Sequence, residues 1–296
     1  MVVVVIGLAG EQGTSESPLI SVVVPVRNGM PWLEQQLQAL STQEVSVGWE
    51  VVVADNGSDD DTCACVERWR ARDPRIRLVD ASSRRGAATA RNIGVQAAQG
   101  SLLAFCDADD VVRPGWISAM WAALADADLV AGVFDFGALD GAPSSLPVPA
   151  ATRQLGFLAF GLSANLAVTR GVFEAVHGFD EELSPEEDVD LCWRIQLAGY
   201  PLAVATDAVV EKRERPPGLS TFRGAWAYGK CGPRLYVRYR AVGMRRDLRG
   251  AAKAWIWLVV TLPTLVQKSR RRQWVRTFSI RSGRLAGSLG LGVFFP

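Results

Sequence analysis

The sequence predicts an α/β fold built on a mostly parallel central sheet, followed by a helical, basic appendage. Three observations predict it. Short β-rich apolar runs alternate with amphipathic stretches through the first two-thirds of the chain, the spacing that strands and crossover helices require. Several of these runs end abruptly in polar or acidic residues, as buried parallel strands do where their carboxyl ends open onto a crevice. The charge then reverses: residues 1 to 210 carry 13 Arg and no Lys against 28 acids, whereas residues 211 to 296 carry 19 Lys and Arg against 3 acids. Two segments of opposite sign suggest two jobs.

Taken in order, residues 1–17 read as a loose leader, because Val2 to Ile6 lacks a basic flank and is too short for a signal sequence. Ile20 to Val24 is the first strand, stopped by Pro25, so that Val26, Arg27 and Asn28 form a loop at the sheet edge. Pro31 begins an amphipathic helix to about Ser41. Trp49 to Ala54 is the second strand, and Asp55-Asn56-Gly57-Ser58-Asp59-Asp60-Asp61 follows it with turn residues and a helix cap. Arg75 to Val79 is the third strand, and Ala87 to Ala98 a helix between Gly86 and Gly100.

Leu102 to Cys106 is the fourth strand, and it runs into Asp107-Ala108-Asp109-Asp110. Carboxylates that close rarely all stay ionised without a cation, so this stretch reads as a divalent-metal or phosphate-metal site. The competing reading is a solvated acidic loop, with Asp110 capping the helix that Pro114 begins. Asp55 and Asp107 fall at the same sheet edge in either case, near the Pro25 to Asn28 loop, with Arg84, Arg85 and Arg91 placed to meet phosphate. Neither a dinucleotide nor a P-loop fingerprint is present.

After a Pro/Gly/Ser loop at about Gly141 to Pro149, Asn165 to Thr169 reads as another strand. Ser184-Pro185-Glu186-Glu187 has the form of a capping box at the start of a helix ended by Gly199. Glu187 is then used by the cap and Asp190 pairs with Arg194, which leaves Asp188 free to face a pocket. Composition narrows the chemistry. One histidine, His177, nearly excludes His-based triads and His-rich metal sites. Five cysteines without regular spacing argue for a reducing compartment and against structural zinc.

Set side by side, five motifs carry a resemblance: Val24-Pro25-Val26-Arg27-Asn28, Asp55 to Asp60, Arg85-Gly86 with Ala90 to Gly94, Asp107 to Asp110, and Gly178 to Glu181 with Glu187 to Leu191. In that order they resemble a family 2 glycosyltransferase of the GT-A (Rossmann-like) fold over roughly residues 19 to 215. The resemblance implies a nucleotide-sugar-binding and catalytic domain over 18–215. It implies that Pro25, Val26, Arg27, Asp55, Arg85, Arg91, Asp107 and Ala108 hold a nucleoside-diphosphate sugar, a UDP- or dTDP-sugar. Asp107 and Asp109 would be the DXD pair holding Mn²⁺ or Mg²⁺, and Asp188 the general base of an inverting transfer to a hydroxyl of a glycan or lipid-linked acceptor. Many relatives have a His after the strand that follows this helix; here Val209-Val210-Glu211-Lys212-Arg213 has none, so Glu211, a water, or Lys212 with Arg213 would take its place.

Two rival readings remain. Leu103 to Val112 also fits the strand and DxDxV of a haloacid-dehalogenase-like phosphatase, a chemistry that needs a lysine, and none precedes Lys212. A catalytically silent GT-A binding subunit is the other. Residues 216–296 interleave Trp226, Tyr228, Tyr236 and Tyr239 with cations, and Ala254 to Val266 is too short to span a bilayer at about 1.5 Å per residue. The segment therefore reads as a peripheral contact with an anionic membrane at its cytoplasmic face, or else as a helical subdomain packed on the acidic half. It is not read as a nucleic-acid surface, because no recognition module accompanies it.

Overall fold

The computed structural model describes residues 19–137, 139, 148–149, 151–152, 156–213 and 219–296. The proposed leader and most of the Gly141 to Pro149 loop lie outside the described residues.

Four strands form the parallel part of the sheet: β1 (Ile20–Val26), β2 (Trp49–Asp55), β3 (Ile76–Asp80) and β4 (Leu102–Cys106), in spatial order β3-β2-β1-β4. Their sequence is almost uninterrupted Val, Leu and Ile because helices cover both faces: Val22, Val23, Val51, Val52, Leu103 and Phe105 have no exposed surface. The register places Val26 beside Asp55 and Val23 beside Phe105, so the three strand ends meet at one edge. β1 runs two residues past its expected end at Val24, through Pro25. Its pairing with β4 already ends at Val23, so the missing proline N–H falls where no ladder bond is needed on that side.

The sheet then changes direction. β10 (Asn165–Thr169) lies antiparallel between β4 and β6 (Leu129–Phe136), and β11 (Leu202–Lys212) runs parallel to β6. β5 (Val111–Val112) and β7 (Val148–Pro149) add short antiparallel pairs, and β8 (Ala151–Thr152) pairs with β9 (Phe160–Gly161) separately. The expectation of a mostly parallel sheet thus describes the first four strands, while the rest of the sheet is mixed. Because β10 is reversed, its amino end pairs with Cys106, and the preceding Leu162 to Ala164 arrive at the same edge as the carboxyl ends of the parallel strands.

β11 bulges between Val204 and Val209. Asn165 serves this irregularity. Fully buried, its Nδ2 donates to the carbonyls of Val133 and Ala208 at 2.8 and 3.0 Å, and its Oδ1 accepts from Trp116 Nε1 at 2.9 Å. A side-chain amide here supplies the donors that the broken ladder no longer does.

The helices are α1 (Leu33–Ser41), α2 (Thr62–Arg70), α3 (Ala87–Ala97), α4 (Trp116–Leu124), α5 (Arg170–Ala175) and α6 (Glu187–Leu197). α3 packs close under the sheet because Gly94 has no side chain: a Cβ there would come within 2.5 Å of Val23 Cγ1. Three expected caps are absent. α2 follows Asp61, whose side chain makes no cap bond. α4 follows Gly115, and Asp110 is engaged elsewhere; α6 starts after Glu186 with no side-chain cap bond, so the capping box on Ser184 does not form.

The basic segment folds as α7 (Leu219–Tyr239), α8 (Leu248–Val260) and α9 (Lys268–Leu291). α7 and α9 run side by side at backbone contact, since a Cβ on Gly229 would lie 2.1 Å from the Ile280 carbonyl oxygen and one on Gly283 2.2 Å from that of Trp226. The pair packs on the first half of the chain. Arg238 reaches Asp180 and Asp190, both at 2.7 Å, and Tyr239 Oη donates to Asp190 Oδ1 at 2.6 Å. Asp190 also takes the expected Arg194 partner at 2.7 Å. Buried with no exposed surface, its carboxylate is the junction of three side chains where the sequence suggested a simple helix pair. No described helix is long and apolar enough to cross a membrane.

Candidate active site

The edge where β1, β2, β4 and the start of β10 converge opens into a cleft of about 560 Å³. Pro25, Val26 and Arg27 line it from the end of β1, Arg85 and Arg91 from α3 and the turn before it, and Asp107, Ala108 and Asp109 from the loop after β4. Asp188 lines it from the first turn of α6. Of the site residues expected from sequence, all but Asp55 and Arg84 share this cleft. Asp55 is turned inward. Its Oδ2 accepts the backbone N–H groups of Gly57 and Ser58 at 3.2 and 3.1 Å, and Ser58 Oγ donates to Oδ1.

Asn56 is the neighbour that does line the cleft, a residue the sequence reading assigned only to a turn. Its Nδ2 donates to the carbonyls of Ala81 and Arg84, and its Oδ1 accepts from Gly86 N at 2.8 Å, so it sets the loop that carries Arg85. Arg84 itself points away, to Glu182 at 2.6 Å.

Arg91 is the internal organiser. Buried beside Phe179, it holds Asp107 Oδ1 at 3.0 Å with one nitrogen and Glu187 Oε1 at 3.1 Å with another. A forked guanidinium can bridge two carboxylates in this way where an ammonium could not hold both geometries. Glu187 is therefore committed to Arg91 and not to a helix cap, because a charge-assisted pair inside the protein outcompetes a neutral cap. That corrects the capping-box assignment while leaving Asp188 facing the cleft, as expected.

Lys212, from the end of β11, lies 3.2 Å from Asp107 Oδ2 and 2.6 Å from Asp110 Oδ2. Arg213 continues the contact, its N–H donating to Asp110 Oδ1 at 3.1 Å and its Nε to the Asp109 carbonyl at 3.0 Å. Glu211 faces away and pairs with Arg113 at 3.0 Å, which removes it from the candidates for the missing histidine. His177 lies two residues past the end of α5 and does not line the cleft.

The ligating oxygens of Asp107, Asp109 and Asp110 lie within 4.8 Å of one another, a set of hard donors that fits Mn²⁺ or Mg²⁺. Lys212 already neutralises part of this charge. Burial would raise the Asp107 pKa, but Lys212 and Arg91 outweigh it and hold the carboxyl below its ordinary value. Asp110 is pushed up to about 7 by burial, with Asp107 adding to the effect and Lys212 opposing it.

Asp188 is buried, and its carboxylate is oriented by backbone donors: Ser163 N to Oδ2 at 3.2 Å and Val189 N to Oδ1 at 2.8 Å. Burial, reinforced by the charge of Glu187, pushes its pKa up to about 7. A fixed carboxylate with that affinity for a proton is suited to accept one from an alcohol near neutral pH. Ser163 was not foreseen; it reaches the site only because β10 is antiparallel.

A sheet edge that gathers an Asp-Ala-Asp loop, a basic strand-end pair and a buried carboxylate on a helix start is the arrangement expected of the GT-A fold. The backbone agrees: the mannosyltransferase PcManGT of Pyrobaculum calidifontis, solved with GDP-Man and Mn²⁺, superposes with a TM-score of 0.65 at 20% identity, covering 92% of this chain and 88% of that one. Residues 21–157 match the profile described as Glycosyl transferase family 2, and the chain carries a family 2 glycosyltransferase domain. Curated relatives include glycosyltransferase AglE of Haloferax volcanii, 28% identical over 213 residues, which are 69% of this chain and 70% of AglE. The pre-mycofactocin glycosyltransferase of Mycobacterium tuberculosis is 27% identical over 261 residues, 81% of this chain, but the chain spans only 53% of that relative. The phosphatase reading finds no support in this fold.

Proposed function

We propose that the protein is an inverting, divalent-metal-dependent glycosyltransferase that moves a sugar from a nucleoside diphosphate to a hydroxyl of a glycan or lipid-linked acceptor. The observation that carries this reading is that Asp188 lines the same cleft as Asp107 and Asp109, some eighty positions away in sequence. Asp109 and Asp107 would hold Mn²⁺ or Mg²⁺. Bound there, the cation would neutralise charge that builds on the departing diphosphate.

The protein's own residues supply the rest. Arg27, Arg85 and Lys212 bring positive charge to the cleft for the diphosphate, and Arg91 fixes the orientation of Asp107. Asp188, held by two backbone N–H groups, takes the proton of the attacking hydroxyl, and a single displacement inverts the anomeric centre. Incubation of the protein with Mn²⁺ and a panel of UDP-, dTDP- and GDP-sugars should give donor hydrolysis or transfer. Chelation with EDTA, Asp109→Ala and Asp188→Asn should each reduce it by at least 100-fold, and undiminished activity in both variants would refute the assignment.

Peripheral contact with an anionic membrane on its cytoplasmic face is part of this proposal. It is supported by α8, where Ile256, Val259 and Val260 are largely exposed next to exposed Arg249 and Lys253, and by Leu262 just beyond.

A further inference from the structure

Behind Asp188 lies a second cavity of about 420 Å³. Leu162, Asp188 and Tyr228 line both this space and the main cleft, so the two meet at the proposed base. One side is the catalytic body, with Phe160 and Val189. The other is formed by α7 and α9, which contribute Ala225, Ile280, Arg276 and Arg284.

Glu186 sits in its wall. The residue is only 7% exposed, and its Oε2 has no hydrogen-bond partner among the described residues. Burying a polar oxygen unmatched costs about 1–3 kcal/mol, a cost that a bound hydroxyl would remove. Burial pushes its pKa up to about 8, with Asp188 and Glu187 adding to the effect and Arg284 opposing it. The group is therefore largely neutral near pH 7 and does not repel an anion. Two arginines complete the lining. Arg284 is anchored, its Nη1 donating to the Pro296 carbonyl at 3.2 Å and its guanidinium over the Phe295 ring at 5.2 Å, and Arg276 is exposed on the same helix two turns earlier.

We propose that this cavity is the acceptor site and that it takes a hydroxylated ring carrying an anionic group, a phosphate or a carboxylate. One ring hydroxyl would face Asp188, another would bond Glu186, and the anionic group would lie toward Arg276 and Arg284. The apolar wall of Phe160, Leu162 and Ile280 suits the carbon face of such a ring. The assignment rests on Asp188 being the base. In the transfer, the acceptor oxygen bonds to the anomeric carbon as the bond from that carbon to the diphosphate oxygen breaks. The bonding pair leaves with the diphosphate, and the acceptor proton goes to Asp188.

Calorimetric titration of the full chain with UDP or GDP and Mn²⁺ present tests it without needing turnover. Glucose 6-phosphate and glucuronate should each bind at least tenfold more tightly than glucose. Arg276→Gln should erase that advantage while leaving glucose unchanged, and Glu186→Leu should weaken all three sugars by tenfold or more with nucleotide affinity intact. Equal affinity for charged and neutral sugars overturns the anionic specificity, and sugar binding that ignores both variants, or no sugar binding at all, overturns the site. Loss of nucleotide binding in the unaltered protein would instead count against the glycosyltransferase reading itself.

Discussion

Asp188 shows how a side chain acquires chemistry from its surroundings. Its carboxyl is pushed up to about 7 by burial first and by Glu187 second, so in the free protein it is half-ionised near neutrality. The kcat/KM for transfer should therefore rise with pH to a plateau, with an inflection near 7, and Asp188→Asn should lose both the inflection and at least 100-fold of the rate. Glu186 makes a different forecast. Its folded pKa of about 8 lies above the ordinary carboxyl value of about 4.3, so between these values the folded protein keeps a proton that the unfolded chain has released. Its contribution to stability falls as pH rises through that window. Glu186→Gln should raise the Tm at pH 8.5 by about 3 °C and leave it unchanged at pH 4.5; equal Tm values at pH 8.5 would mean the carboxyl is not held neutral. At this scale the sequence was legible in placement, since Asp107, Asp109 and Asp188 line one cleft. It was misleading where a partner far along the chain decides: Glu187 has the spacing of a cap residue, but Arg91, ninety-six positions earlier, claims it. Asn56 lines the cleft and Asp55 does not for a similar reason, since local spacing does not say which of two neighbours turns outward.

Among the elements, β10 and the α7–α9 pair do the most to shape the site. The β-rich run Asn165 to Thr169 was readable to the residue, but its direction was not, because periodicity is the same for a strand run either way. Only the reversal delivers Ser163 to Asp188. The α7–α9 seam depends on glycines, residues that weaken a helix on their own. They are tolerated because the backbones touch there, with Gly283 against the Trp226 carbonyl. Gly283→Val should force the helices apart and destabilise the protein by about 1–3 kcal/mol in urea unfolding, as overpacked cores generally do. A variant with wild-type stability would show that the seam has slack.

For the molecule as a whole, the charge reversal visible in the sequence serves the packing of the basic helices on the acidic half, one of the two roles expected of it. Part of it joins the halves: Arg238 spans Asp180 and Asp190, and Arg234 Nη1 donates to the Glu182 carbonyl at 3.0 Å. Deleting the segment from Leu219 would therefore damage the catalytic body as well as any membrane contact, and point changes on α8 are the cleaner probe. Val259→Asp with Val260→Asp should cut co-sedimentation with phosphatidylserine vesicles by tenfold or more, with thermal stability preserved; sedimentation equal to the unaltered protein would remove the membrane from the proposal. Residue counts could reveal the asymmetry but not which charges face each other, since that depends on the docking of helices whose contacts are remote in sequence.

The rear cavity draws one wall from β9, the loop after it and the start of α6, and the other from helices after residue 219. Under the proposed reading, the arginines that choose the recipient are inherited in a separate length of the gene from Asp107, Asp109 and Asp188. Recombination beyond the codon for Leu219 would then hand the same activated sugar to a new recipient, with the earlier half of the coding sequence left as it is.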